Sequence, residues 1–269
     1  MRMNGSRLAT PSSDRLAAMS DTTFDVLPSE WQTFQDFLRA APVWTDTEAS
    51  YVFHVANELP LPQRREPASG RCHVHAAIVL QRYLVSLRRP DEAGMIDMVK
   101  LMRETWSAAD VSRNALFNTG GNSELMTRTI LEPGSALHMS DPAQYANHLR
   151  TYGPGLVSIF VVHADFAAAD KVSFDGTPEG RRLGSHAMLL IGARRDAATG
   201  KEWFLLQNWW TRSQFVEVSG KYLQQCCPRV SFVTTPQTRI PGGFATHKHL
   251  YAEQVDMGEF QVAACPLGG

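Results

Sequence analysis

No stretch of this 269-residue chain stays apolar for the roughly 20 residues that a membrane-crossing helix needs. Charge of either sign is not in excess: 26 Lys and Arg stand against 27 Asp and Glu. Such a balance gives no electrostatic footprint for nucleic acid and no polybasic patch for an anionic membrane, so neither is expected as a partner. Cysteine is scarce, with four residues, Cys72, Cys226, Cys227 and Cys265. Two of these are adjacent, where a mutual disulfide is strained, and the spacing is not that of a small secreted framework. A reducing, cytoplasmic setting is therefore expected. No apolar signal-peptide core follows Met1-Arg2-Met3-Asn4-Gly5-Ser6-Arg7, because Asp14, Arg15 and Asp21 interrupt it. Residues 1 to about 22 read as a flexible arm. Internal repeats and low-complexity tracts are lacking. The composition, 43% hydrophobic and 20% charged, suits a globular protein with one large domain or two packed halves.

The order of elements predicts an α+β fold. Apolar residues at 31, 34, 37 and 38 form a helical stripe over residues 29–40, with Ser29 placed as N-cap. Pro60, Pro62 and Pro67 punctuate a loop. A buried helix then runs from about Cys72 to Arg89, on apolar positions 76, 77, 80, 83, 84 and 87. Helices are also expected over 91–107 and 122–132. The second half changes period: 156–162, 187–193, 203–206, 215–218 and 230–234 read as strands. Asp196-Ala197-Ala198-Thr199-Gly200 is a turn, which makes the second and third of these a hairpin.

Candidate chemistry starts at Cys72. A thiol attacks a carbonyl as the thiolate, and a helix N-terminus or a neighbouring imidazolium favours that form. Cys72 falls in the first turn of its helix, and Gly70 lets a substrate approach the backbone closely. A buried structural cysteine is the alternative. His186 opens the apolar strand of the hairpin, and Asn208 ends its partner. The carboxamide oxygen of Asn208 would accept the imidazole N–H of His186, and the indole of Trp210 would shelter that bond. Cys72-His73-Val74-His75 is not a metal motif, because no second ligand pair stands at zinc-site spacing. His247 and His249 alternate as on a strand and read as solvated side chains. No cofactor is implied.

These segments resemble the papain-like cysteine peptidases, most closely the bleomycin hydrolase branch. Ser69-Gly70-Arg71-Cys72 is similar to that branch's nucleophile segment, and His186-Ala187-Met188 to its histidine segment. Asn208-Trp209-Trp210 resembles the Asn-Ser-Trp of papain-like enzymes. Thr119-Gly120-Gly121-Asn122 looks like their cleft-lining glycine pair, and Gly153-Pro154-Gly155 like the strand entry before their histidine. The resemblance implies a two-part fold. A helical half (about 46–150) and an antiparallel β-barrel-like half (about 151–269) flank a cleft, after an N-terminal arm or pro-like segment over 1–45. It implies a Cys72–His186–Asn208 triad working through an acyl-enzyme thioester on a peptide or small amide. Gly120, Gly121, Ser185 and Ala187 would contact substrate, and Trp210 would support the triad.

Three positions depart from the family pattern. Glu66 stands where a Gln usually donates to the oxyanion, and an ionised Glu would oppose the developing charge. Gln63 substitutes only if the loop is realigned. His73 replaces the usual aromatic residue after the nucleophile and reads as a helix-surface or cleft-wall ring, with an additional base as the alternative. Trp209 replaces the small Ser of the Asn motif. These departures keep two other readings open: a papain-like protein with little activity and an interaction role, and an acyltransferase using the same thioester.

Overall fold

A computed structural model of the chain describes residues 34–45, 49–51, 72–86, 124, 127–128, 131, 134–168, 171–210 and 213–234. The fold is α+β. In chain order the elements are α1 (Phe34–Ala40), β1 (Ser50–Tyr51), α2 (Cys72–Ser86), β2 (Ala136–Ser140) and α3 (Tyr145–Tyr152). They continue with β3 (Gly155–His163), β4 (Ser173–Phe174), β5 (Arg182–Arg195), β6 (Glu202–Gln207), β7 (Phe215–Ser219), α4 (Gly220–Cys226) and β8 (Val230–Thr234). The strands form a single sheet in the order β2-β8-β3-β5-β6-β7-β4, and β1 also pairs with β5. Pairing is antiparallel except between β4 and β7.

The longest strand organises the rest. β5 is exposed at its start, then buried at every residue from His186 to Arg194. Consecutive burial means that both faces of this stretch are covered, which is why its sequence reads as an apolar run rather than an alternation. The expected hairpin is present: β5 pairs with β6 through Leu189↔Gln207 to Arg195↔Glu202. Its turn is closed by Asp196, whose carboxylate accepts from both the backbone and the hydroxyl of Thr199. Helix α2 packs on β5 and β3, and α3 packs on β5 and β8. The buried side chains of α2, among them Ala76, Ala77, Val79, Leu80 and Tyr83, join the sheet's core.

Gly153 explains how α3 turns into β3. It ends the helix, its N–H bonding Leu149 O at 2.9 Å, and takes φ +81°. That left-handed conformation favours glycine. A Cβ there would also lie 2.8 Å from the Tyr83 ring of α2. β3 starts two residues later, as the Gly-Pro-Gly pattern predicts.

A buried ion pair ties the N-terminal segment to the sheet. Glu217 on β7 accepts from Arg194 Nη2 at 2.9 Å and from Trp44 Nε1 at 2.6 Å on one oxygen, and from Ser173 Oγ at 2.7 Å on the other. The Arg194 guanidinium also lies 4.9 Å from the Trp203 ring centre, so its charge is held on several sides. Phe34 and Phe37 of α1 pack against Phe215.

Sequence periodicity does not reveal β2, α3, α4 or the short strands β1 and β4. β2 has an irregular exposure pattern, and α3 and α4 are only two turns long, too short for a clear stripe. Ser29, the expected helix over 91–107 and the end of the 72–89 helix beyond residue 86 lie outside the described residues. Within the expected 122–132 helix, Glu124 and residues 127–128 are helical. No helix among the described residues is long and apolar enough to cross a membrane.

Candidate active site

Three separate elements deliver the candidate residues to one place. Cys72 is the first residue of α2. His186 is where β5 passes from exposed to buried. Gln207 pairs with Leu189, so Asn208 leaves the end of β6 beside His186, and its N–H is held by Gln214 O at 2.7 Å. His186 Nε2 lies 2.7 Å from Asn208 Oδ1, with the two residues 7% and 1% exposed. A carboxamide oxygen only accepts, so the ring nitrogen Nε2 carries the hydrogen. The same oxygen accepts the Trp209 backbone N–H at 2.7 Å. Turning the amide over would set its NH2 against the Trp209 N–H, and this backbone donor fixes its orientation. The remaining ring nitrogen, Nδ1, is left for the sulfur.

The two tryptophans hold this arrangement from different sides. Trp210 stacks on the His186 ring, centres 5.0 Å apart and planes inclined by 24°. Phe166, in the turn after β3, meets the Trp210 ring edge-on at 5.7 Å. Trp209 Nε1 donates to Ala187 O at 2.8 Å, pinning the strand beside His186. The bulk of Trp209 is thus used as a brace.

Electrostatics single out one thiol. Burial works to raise the Cys72 pKa, but the hydrogen bond and charge of His186, the nearby His73 and the Ala187 N–H outweigh it. The net result is a fall from 9.0 to about 5. At neutral pH such a sulfur is mostly thiolate. Burial instead pushes Cys226 and Cys227 up to about 12, which leaves them as inert core thiols. All three are free cysteines.

His73 corrects an expectation. Its ring is not on the helix surface: it is 1% exposed, and neither nitrogen has a hydrogen-bond partner of good geometry. It nevertheless lies near enough to Cys72 to favour the thiolate. An unsatisfied buried polar group costs about 1–3 kcal/mol. Among the described residues, no group of three or more His, Cys, Asp or Glu side chains is arranged to hold a metal.

The structure therefore brings Cys72, His186, Asn208, Trp210 and the backbone of Ala187 together. The Ala187 side chain is buried, while Ser185 is exposed and sits opposite Val161. Glu66, Gln63, Gly70, Gly120, Gly121, Cys265, His247 and His249 lie outside the described residues. Sequence reasoning missed the brace made by Trp209 and the burial of His73. The first had a signal in the doubled tryptophan. The second had none, because the apolar stripe of α2 does not say where the polar ring of His73 points.

No protein-family model matches the chain, and no curated protein matches it. Among solved structures it is similar to the bromelain protease from Ananas comosus in complex with the E64 inhibitor. The identity is 14% and the TM-score 0.40, over 70% of this chain and 99% of that one. It is also similar to a structure from work on the mite allergens Blo t 1 and Der p 1. There the identity is 12% and the TM-score 0.44, over 85% of this chain and 96% of the other. A recombinant stem bromelain precursor is similar at 11% identity and TM-score 0.34, over 73% of each chain.

Proposed function

We propose that this chain is a papain-like, thiol-dependent hydrolase of peptide or small amide bonds. One observation carries the reading. A buried His186–Asn208 hydrogen bond stands beside a sulfur, Cys72, whose pKa is drawn down to about 5. The Cys72 thiolate attacks the amide carbonyl, and the negative charge moves to the carbonyl oxygen. His186 gives its proton to the leaving amine, the C–N bond breaks, and a thioester forms. His186, now neutral, takes a proton from water. The hydroxide displaces the sulfur, which leaves as thiolate, and the acid product departs. Asn208 keeps the ring turned for both transfers.

In this reading Glu66 occupies the oxyanion position, Gly120, Gly121, Ser185 and Ala187 line the substrate path, and Trp210 keeps water from the His186–Asn208 bond. The cleft lies between the halves formed by about 46–150 and 151–269. Assignment to the bleomycin hydrolase branch rests on the quoted sequence segments alone. No observation favours the inactive or acyl-transferring alternatives over hydrolysis. The test is turnover of a panel of fluorogenic aminoacyl and peptidyl amides, with labelling by a thiol-directed epoxide. Hydrolysis and labelling are expected in the wild type and lost in Cys72→Ala. Labelling of Cys72 no faster than of Cys226 or Cys227, with no amide cleaved, would refute it.

A further inference from the structure

The ring of His73 is a buried polar side chain beside the candidate nucleophile that the proposed mechanism leaves unused. It is 1% exposed, follows Cys72 directly in the first turn of α2, and neither of its nitrogens has a hydrogen-bond partner of good geometry. An imidazole kept in such a place gains nothing from water and nothing from its other neighbours. The polar atom it can serve is the adjacent sulfur. We propose that His73 is a second imidazole of the Cys72 site, a positioning residue whose N–H steadies the negative sulfur alongside His186. This rests on reading Cys72 as the nucleophile.

The mechanism gives such a donor a purpose. His186 changes charge twice per turnover: it loses its proton to the leaving amine and regains one from water. When the C–S bond of the thioester breaks, the electron pair returns to sulfur, and a second donor shares the departing thiolate with the reprotonated His186. Hydrogen bonding to the charged form favours that form. The other groups acting on the sulfur are His186 and the Ala187 N–H, both from β5. The remaining titratable side chains of β5 lie near its ends, and of these Arg194 is paired with Glu217. On β3, the other strand against α2, the titratable side chain is His163, at the far end beside Gly180 O. One helical turn on, the His75 ring packs near Trp209.

The experiment is alkylation of Cys72 by iodoacetamide in the full-length protein, read by peptide mass mapping at about pH 5 and pH 9. His73→Phe keeps an aromatic ring without a donor, and His73→Gln keeps an N–H. The ratio of the rate at pH 5 to that at pH 9 is expected to fall about fivefold in His73→Phe, as for a rise of about one pKa unit, and to stay near wild type in His73→Gln. An unchanged ratio in His73→Phe overturns the proposal, and so does an equal fall in both variants, which would mark a packing effect. If His73→Phe does not fold, ring 15N shifts of His73 in the wild type decide. They are expected to follow Cys72 ionisation and to change on its alkylation, and shifts indifferent to both refute the role. Alkylation reads the sulfur and not turnover. A protein that cleaves no amide but shows the His73 effect loses the proposed function and keeps this inference, and intact turnover without the effect does the reverse.

Discussion

Replacing His186 by Ala tests the electrostatics of the site most directly. A fall of the Cys72 pKa from 9.0 to about 5 corresponds to about 5 kcal/mol of preference for thiolate over thiol, at 1.36 kcal/mol per unit. That preference is a balance. Burial opposes it, while His186, through both a hydrogen bond and its charge, and the smaller contributions of His73 and Ala187 favour it. Removing His186 leaves burial facing the lesser contributions, so the pKa should return to about 8 or above. The sign follows: the thiolate is present above the folded pKa, so wild-type reactivity is flat from about pH 6 upward. In His186→Ala it should climb about tenfold per pH unit through the neutral range. The rate at one pH is a poor readout, because a sulfur of higher pKa is intrinsically more nucleophilic and the two changes partly cancel. The midpoint of the pH–rate profile, supported by ultraviolet thiolate absorbance, is the right quantity. A wild-type midpoint near 9, or a His186→Ala midpoint still near 5, would show the reasoning to be wrong.

Further outcomes follow from the same contacts. Asn208→Ala leaves the His186 and Trp209 N–H groups without an acceptor in a buried place; urea denaturation should give a loss of about 2–4 kcal/mol, and amide turnover a fall of about 10²-fold. Trp210→Ala opens the His186–Asn208 bond to water, so kcat should drop about tenfold while KM changes less, measured by steady-state kinetics. Glu217→Ala strands Arg194 in the core and should cost about 3–5 kcal/mol in the same denaturation assay, whereas replacing both partners with apolar residues costs less. Gly153→Ala forces a Cβ toward Tyr83 at φ +81°, and a loss of about 1–3 kcal/mol is expected, read as a lower Tm.

Much of the second half was legible because its signals are local. The apolar run after Ser185 and the Asp-Ala-Ala-Thr-Gly turn give β5 and β6, and the hairpin spacing puts Asn208 near His186. Elements held by long-range contacts were not legible. β2 pairs with β8, almost a hundred residues away in sequence, and its own pattern alternates poorly. The α4 helix is set by its Ser219 cap and by packing on the sheet, not by a stripe of its own. Glu217 illustrates a different failure. A charged residue within a strand reads as solvent-facing, and it turns inward here only because Arg194, Trp44 and Ser173 converge on it.

The sequence by itself determined which residue types were on hand and how close in chain order His186 and Asn208 must come, because a hairpin of known register leaves little freedom. It also set Cys72 at a helix start. Tertiary structure alone decided that the helix carrying Cys72 lies across β5, so that a sulfur and a ring 114 positions apart act on each other. It decided, too, that His73 is buried beside Cys72. A helical stripe marks the face that is buried but not which neighbour each side chain meets, and the direction of each side chain is fixed only when the sheet packs against it.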